Sequence, residues 1–273
     1  MISDYHIHTY LCRHASGEPR AYVERAIGLG MDELGFADHL PFLAGWTPRH
    51  VAADDWAMGI DELDDYVTLV RELQSEYAGD IRVLLGIEAD YIEDTLDETA
   101  RVLSDYPFDY AIGSVHVIGD RFPFDHSAMV ERLPEYGIDR IFVESLGLVA
   151  RAAATGLFDV IGHIDQAKKY GHRPADALVV AAAAEEALCA IAAAGIALEL
   201  NTCGWRKPAA EAYPAPDLLA RAGALGIPVT FGSDAHKPGD VGRGFERAAL
   251  AARAAGFRTV LRLPSGPAQE LPC

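Results

Sequence analysis

Four residues into the chain stands Asp4-Tyr5-His6-Ile7-His8-Thr9. Side chains two apart on an extended strand share a face, so His6 and His8 can aim at one ion while Ile7 turns into a core. A His-x-His pair alone is weak, because it recurs by chance. The rest of the chain strengthens it. His39, Glu88, His116, His163, Asn201, and Asp234 with His236 each fall where an apolar run ends. Any one of them is explained as a hydrogen-bonded, half-buried polar group. Histidine at the ends of five strands and glutamate at a sixth is not, because a strand end has no need of imidazole. A cluster of divalent transition metals does: neutral imidazole and carboxylate suit Zn, Fe and Mn. Glu88 follows the apolar run Val83-Leu84-Leu85-Gly86-Ile87, where a buried carboxylate without a partner is too costly to keep.

The elements that position these residues alternate. Strands are expected over residues 2–6, 33–37, 81–89, 110–115, 158–162, 196–200 and 227–231, each followed by a helix or a long connection. Helices are expected near 19–28, 59–77, 96–104, 137–155, 175–194, 217–225 and 245–255, with a further short strand over 259–263. Seven βα units of this kind predict a parallel sheet closed into a distorted (β/α)7 TIM-like barrel, with the site at the C-terminal ends of the strands. The insertion over residues 40–58 holds Pro41, Phe42, Trp46, Pro48 and Trp56. Its length fits a lid, a binding loop or a packed Ω-loop. Residues 1–263 are expected to form one domain, with 264–273 a flexible tail.

Composition narrows the function classes. The chain has 273 residues and a formal net charge of −18, from 23 Lys and Arg against 41 Asp and Glu. Such a surface repels nucleic acid, and no Lys/Arg cluster overrides it. It also repels phosphorylated metabolites unless something strongly positive holds them, which bound metal ions would do. No apolar run of about 18 uncharged residues and no basic leader are found, so a cytoplasmic protein without a membrane span is expected. Cys12, Cys189, Cys203 and Cys273 have no paired spacing and are expected as reduced thiols. The oligomeric state is not readable.

Several segments share an order with a known family. Asp4-Tyr5-His6-Ile7-His8-Thr9 with Cys12-Arg13-His14-Ala15, Gly35-Phe36-Ala37-Asp38-His39 and Gly86-Ile87-Glu88-Ala89-Asp90-Tyr91 come first. Gly113-Ser114-Val115-His116, Gly162-His163-Ile164-Asp165 and Gly232-Ser233-Asp234-Ala235-His236 follow. Together they resemble the PHP (polymerase and histidinol phosphatase) family. Glu199-Leu200-Asn201-Thr202-Cys203-Gly204-Trp205-Arg206-Lys207 and Glu211-Ala212-Tyr213-Pro214 resemble its stand-alone histidinol-phosphatase branch. The resemblance spans about residues 2–255 and leaves out the 40–58 loop.

The resemblance implies two to three divalent metals. His6, His8, Glu88 and Asp234 would hold the first; Glu88, His116 and His163 the second, with Glu88 bridging; His14, His39 and His236 the third. His50, His126 and His172 match no motif and are expected at the surface, and Cys12 and Cys203 match no ligand position. Glu88, Asp234 and His236 are the expected catalytic residues. Two bridged metals can activate a shared water for in-line attack on phosphorus, and a third can neutralise the phosphoryl oxygens. Arg206, Lys207, Lys168 and Lys169 follow strand ends and are the phosphate-binding candidates; Arg206 can make a two-pronged contact where Lys offers a point charge. The implied reaction converts L-histidinol phosphate, a small phosphorylated metabolite, to L-histidinol and inorganic phosphate in histidine biosynthesis. The alternatives are another small phosphate monoester, a polymerase-associated type of exonuclease, and a non-catalytic metal-binding module. The exonuclease would need a basic or aromatic track for single strands, and the module would be expected to lack ligands.

Overall fold

Strand burial decides which side chains reach the centre. In β2 (Arg82–Asp90), Val83, Leu85, Ile87 and Ala89 join the large outer core under the helices, while Leu84 joins a small inner cluster. Glu88 shares Leu84's face, so period-two alternation turns it inward at the C-terminal end. The strand is apolar on both faces because both are covered. The structure is a computed structural model and describes residues 2–264 and 266–272.

Six strands pair in parallel and in chain order: β1 (Glu33–His39), β2, β3 (Tyr110–Ser114), β4 (Val160–Ile161), β5 (Ala197–Asn201) and β6 (Val229–Gly232). Register puts His39 opposite Glu88 and Asn201 opposite Gly232. Helices α1 (Pro19–Gly28), α2 (Leu63–Glu76), α3 (Leu96–Asp105), α4 (Leu133–Tyr136), α5 (Ile138–Ala154), α6 (Ala177–Ala194), α7 (Pro216–Ala224) and α8 (Phe245–Ala254) complete an α/β, TIM-like fold.

The expected strand over residues 2–6 is an extended segment with isolated bridges, Asp4 to Leu34 and Ile7 to Ala235. It lies between the two edge strands. On one side Gly35 N donates to Asp4 O at 2.8 Å and Ala37 N to Ile7 O at 2.9 Å; on the other, Tyr5 N donates to Phe231 O at 3.2 Å. Tyr5 belongs to the inner cluster and the next residue, His6, is drawn to Glu88. Two consecutive inward side chains break the pleat, so no regular ladder forms. This segment takes the place of the seventh strand.

The 264–273 tail also departs from expectation. Gly266–Glu270 forms β8, antiparallel to β7 (Thr259–Arg262). Arg262 grips Glu33 at the start of β1 through Nε at 3.0 Å and Nη2 at 2.8 Å, and Leu263 packs into the inner cluster. The polar segment has no alternating pattern, so nothing in its composition announced a strand. Residues 265 and 273 lie outside the described ones.

Among the described residues, α6 is long and apolar enough to cross a membrane by length and composition. Its Ala184, Ala187, Leu188 and Ile191 are buried in the outer core, and its Glu185 pairs with Arg221. We therefore describe it as a barrel helix. The 40–58 loop is packed: Trp46 and Trp56 cluster with Val117, Phe42 and Ile92. Phe42 lies 5.4 Å from Trp46 and meets Trp56 edge-on at 5.8 Å.

Candidate metal centre

Glu88 stands at the middle of the strand ends, and its two oxygens divide the histidines. Oε2 faces His6 Nε2 at 3.3 Å, His39 Nδ1 at 3.1 Å and His8 Nε2 at 3.6 Å. Oε1 faces His163 Nε2 at 2.9 Å and His116 Nε2 at 3.6 Å, and accepts from Ser114 Oγ at 2.7 Å. Asp234 Oδ1 lies 3.3 Å from His8 Nε2 and 3.3 Å from His236 Nδ1. Asp234 has φ 52°, a left-handed backbone that a short polar side chain tolerates better than most. His236 stacks on His8 at 4.2 Å and on His14 at 4.7 Å.

The tautomers follow from the other ring nitrogens. His6 Nδ1 lies 2.6 Å from Glu199 Oε1, His8 Nδ1 3.3 Å from Asp38 Oδ1, and His116 Nδ1 3.0 Å from Asp90 Oδ1. His14 Nδ1 lies 2.6 Å from Cys12 O, and His236 Nδ1 3.1 Å from Asp234 O. With Nδ1–H donating to these oxygens, each ring in its neutral form keeps an Nε2 lone pair for an ion. Carboxylates behind imidazoles are the usual support of metal-ligating histidine. Glu199 is further held by His163 N at 3.0 Å and Asn201 Nδ2 at 3.0 Å. A Cβ on Gly232 would lie 1.9 Å from Glu199 Oε1, so only glycine leaves room for the His6–Glu199 pair.

This arrangement tests the donor set. Among the described residues His6 Nε2 and Glu88 Oε2 are buried without hydrogen-bond partners, and with the ring neutral both offer lone pairs toward each other. Two acceptors at 3.3 Å need a proton or a cation between them. Ligand atoms of His6, His8 and Asp234 converge, as do those of His8, His39 and His236, and those of Cys12, His14 and His236. The donors are imidazole and carboxylate with the Cys12 thiol beside them, and they fit divalent transition metals.

Charge in the cluster is strongly coupled. Burial lowers the pKa of His6, but Glu199, Glu88 and Asp234 outweigh it and hold it well above its ordinary value. Burial acts likewise on His116, and Asp90 and Glu88 push it up to about 9. Burial would raise Glu88, but His6, His39 and His116 hold it well below the usual carboxylate range. His14 is lowered to about 4 by burial and by His8. Protons on some imidazoles thus neutralise the carboxylates where cations would otherwise do so.

The cluster floors a cavity of about 390 Å³. Arg206, Lys207 and Lys169, three of the phosphate-binding candidates, line it. Arg206 Nη2 donates to Ser233 O at 2.8 Å and Nε lies 3.9 Å from Asp240 Oδ2, while its buried Nη1 has no hydrogen-bond partner among the described residues. Lys169 is occupied by Asp125 Oδ1 at 2.6 Å. Lys168 does not join them: it is buried, with Nζ 2.6 Å from Asp165 Oδ2 and 3.4 Å from Glu211 Oε2, and is absent from the lining. One position along a 3-10 turn separates a cavity residue from a structural ion pair, which spacing alone does not resolve. His126, expected at the surface, lines the cavity 5.5 Å from Trp56. His50 is exposed and His172 half-buried.

Sequence reasoning assigned no roles to Asp38, Asp90 and Glu199. A signal was present for two of them: Asp90 is two residues past Glu88 on β2, and Glu199 two before Asn201 on β5, so each shares an inward face. Cys203, given no role, lines the cavity with Sγ 3.1 Å from Asp234 Oδ2. Cys12, Cys189 and Cys203 are free thiols.

Comparison with known proteins decides the family. The PHP domain profile matches residues 4–203, and the PHP-associated profile matches residues 219–253. The chain belongs to the PHP domain family. A Deinococcus radiodurans protein named "Probable histidinol-phosphatase" is 43% identical over 259 residues, covering 95% of each chain. The histidinol-phosphatase of Bacillus subtilis is 30% identical, covering 89% of this chain and 96% of the relative. A Lactococcus lactis histidinol phosphate phosphatase, solved with zinc, L-histidinol and phosphate, is 25% identical with a TM-score of 0.77 and 96% coverage of each chain.

Proposed function

We propose that this PHP protein is a metal-dependent phosphatase that converts L-histidinol phosphate to L-histidinol and inorganic phosphate. The observation that carries the metal reading is the buried pair His6 Nε2 and Glu88 Oε2, facing each other at 3.3 Å without hydrogen-bond partners among the described residues. The relatives' names and the L. lactis complex support the substrate. His6, His8, Glu88 and Asp234 would hold one ion, Glu88, His116 and His163 a second, and His14, His39 and His236 a third. Zinc, present in the L. lactis structure, is one candidate beside iron and manganese.

Divalent ions there supply Lewis acidity, polarising the phosphoryl group and lowering the pKa of water. The protein's own groups do the rest. Arg206 is placed to give a charged N–H to a phosphoryl oxygen, an interaction that strengthens as charge builds in the transition state. Glu199, Asp38 and Asp90 hold His6, His8 and His116 in the ligating tautomer. Trp56, buried in the cavity wall, gives the site an aromatic surface on the 40–58 side. The same reading places the protein in cytoplasmic histidine biosynthesis. The test is a screen of phosphate monoesters with metal-loaded protein. Histidinol phosphate is expected to give the highest kcat/KM; a tenfold preference for another monoester would redirect the reading.

A further inference from the structure

The turn after β5 grips the turn after β6 at several points, and one of them is a side chain of the centre. Thr202 N donates to Gly232 O at 2.9 Å and Arg206 Nη2 to Ser233 O at 2.8 Å, and both of these hold backbone. Cys203 reaches further, with Sγ 3.1 Å from Asp234 Oδ2. An ionised carboxylate only accepts, so the thiol hydrogen is the one between them.

Cys203 is itself fixed in place. It is buried, and its N donates to Asn201 Oδ1 at 2.9 Å. Asn201 and Tyr213 exchange both of their backbone hydrogen bonds, at 2.7 and 2.9 Å. A Cβ on Gly204 would lie 2.1 Å from Glu211 O, so the turn that carries Cys203 sits directly against the 211–213 backbone.

The two oxygens of Asp234 are divided as a result. Oδ1 lies 3.3 Å from His8 Nε2 and 3.3 Å from His236 Nδ1, while Oδ2 turns to Cys203. The Asn201 amide nitrogen is also near Oδ2, at 3.5 Å, but it lies closer to Glu199 Oε2, at 3.0 Å. Cys203 is the nearer of these two donors. Asp234 lies beyond the end of β6 on left-handed backbone, φ 52°, so contacts rather than strand geometry aim its side chain.

We propose that Cys203 is a positioning residue of the metal centre: its thiol donates to Asp234 Oδ2 and leaves Oδ1 directed at the ions that the histidines hold. This rests on the metal-dependent reading above and adds to it the residue that orients Asp234. Cys203 acts through that carboxylate and is not a ligand itself.

The test titrates zinc-loaded wild type, Cys203→Ala and Cys203→Ser with a competing chelator, and records the absorption spectrum of cobalt-loaded wild type. Groups that orient a metal ligand are worth about ten- to a hundredfold in affinity, and a thiol is a weak donor. Zinc affinity in Cys203→Ala is therefore expected to fall about tenfold. Cys203→Ser keeps a donor and is expected to retain most of the affinity, and the cobalt spectrum is expected to show no sulfur-to-metal charge transfer. Affinity in Cys203→Ala equal to wild type overturns the proposal. An equal loss in both variants also overturns it, since the bulk of the sulfur rather than its hydrogen would then hold Asp234. A sulfur-to-cobalt band in wild type overturns it too, because the sulfur would then be a ligand with no hydrogen to give. These three results leave the metal-dependent reading intact, whereas a wild type that binds no zinc overturns that reading and the proposal together.

Discussion

His6 Nε2 and Glu88 Oε2 lie 3.3 Å apart, both buried and neither hydrogen-bonded among the described residues. Behind His6, Glu199 Oε1 accepts from Nδ1 at 2.6 Å, so with the ring neutral the facing atoms are both electron-pair donors. On this account Glu88 would serve two ions, and Glu88→Gln is expected to lower kcat about a thousandfold or more. Bound metal should fall as well. The check is kinetics with elemental analysis of the variant; a mild effect, no larger than that of His172→Asn, would remove Glu88 from the centre.

Glu199 acts one step back. Glu199→Gln leaves every proposed ligand in place but loosens the tautomer and orientation of His6. Metal affinity is expected to weaken about ten- to a hundredfold, with activity restored by excess metal. Titration with a competing chelator measures this. Affinity equal to wild type would make the Glu199–His6 contact purely structural.

The cluster should also set opposite pH dependences in the two metal states. In metal-free protein His6, His8 and His116 have raised pKa values, so their stabilising contribution is present below about 6.5 and is lost as pH rises, through about 9 for His116. Glu88, Glu199 and Asp234 are lowered, so theirs is present above the ordinary carboxylate range and lost in acid. Metal binding needs the imidazoles deprotonated and grows over the same rise. The gap in Tm between loaded and chelated protein is expected to widen from pH 6 to 9. Scanning calorimetry across that range checks it, and a gap that narrows contradicts it.

Two neighbouring cations should separate by phenotype. Arg206→Ala is expected to raise KM and lower kcat, about ten- to a hundredfold in kcat/KM, with metal retained. Arg206→Lys should recover part of this, lacking the planar fork. Lys168→Ala should instead lower stability, because it leaves Asp165 buried without its cation; breaking such a pair costs about 3–5 kcal/mol. Melting curves beside the kinetics tell them apart. A kinetic defect at full stability for Lys168→Ala would return it to the cavity.

Much of this centre was legible in the sequence because ligand chemistry and strand periodicity constrain it together. His6 and His8 flanking Ile7, and Glu88 ending an apolar run, each fixed a face as well as a residue type. Less could be read where tertiary packing decides. Residues 2–6 lack a regular ladder because Tyr5 and His6 both turn inward, a local break that no spacing marks. The Gly266–Glu270 strand exists because β7 supplies a partner edge and Arg262 holds that edge to Glu33. Lys168 and Lys169 differ in role although adjacent, since one meets Asp165 and the other Asp125 beside the cavity. His126 and Trp56 come together from separate loops, a contact beyond any single stretch of sequence.

The most direct measurement is phosphate release from histidinol phosphate by protein whose metal content is known. Freshly purified protein is expected to carry two to three transition-metal ions per chain, to lose activity when they are chelated, and to regain it when they are restored. Under half an ion per chain with activity intact would contradict the account.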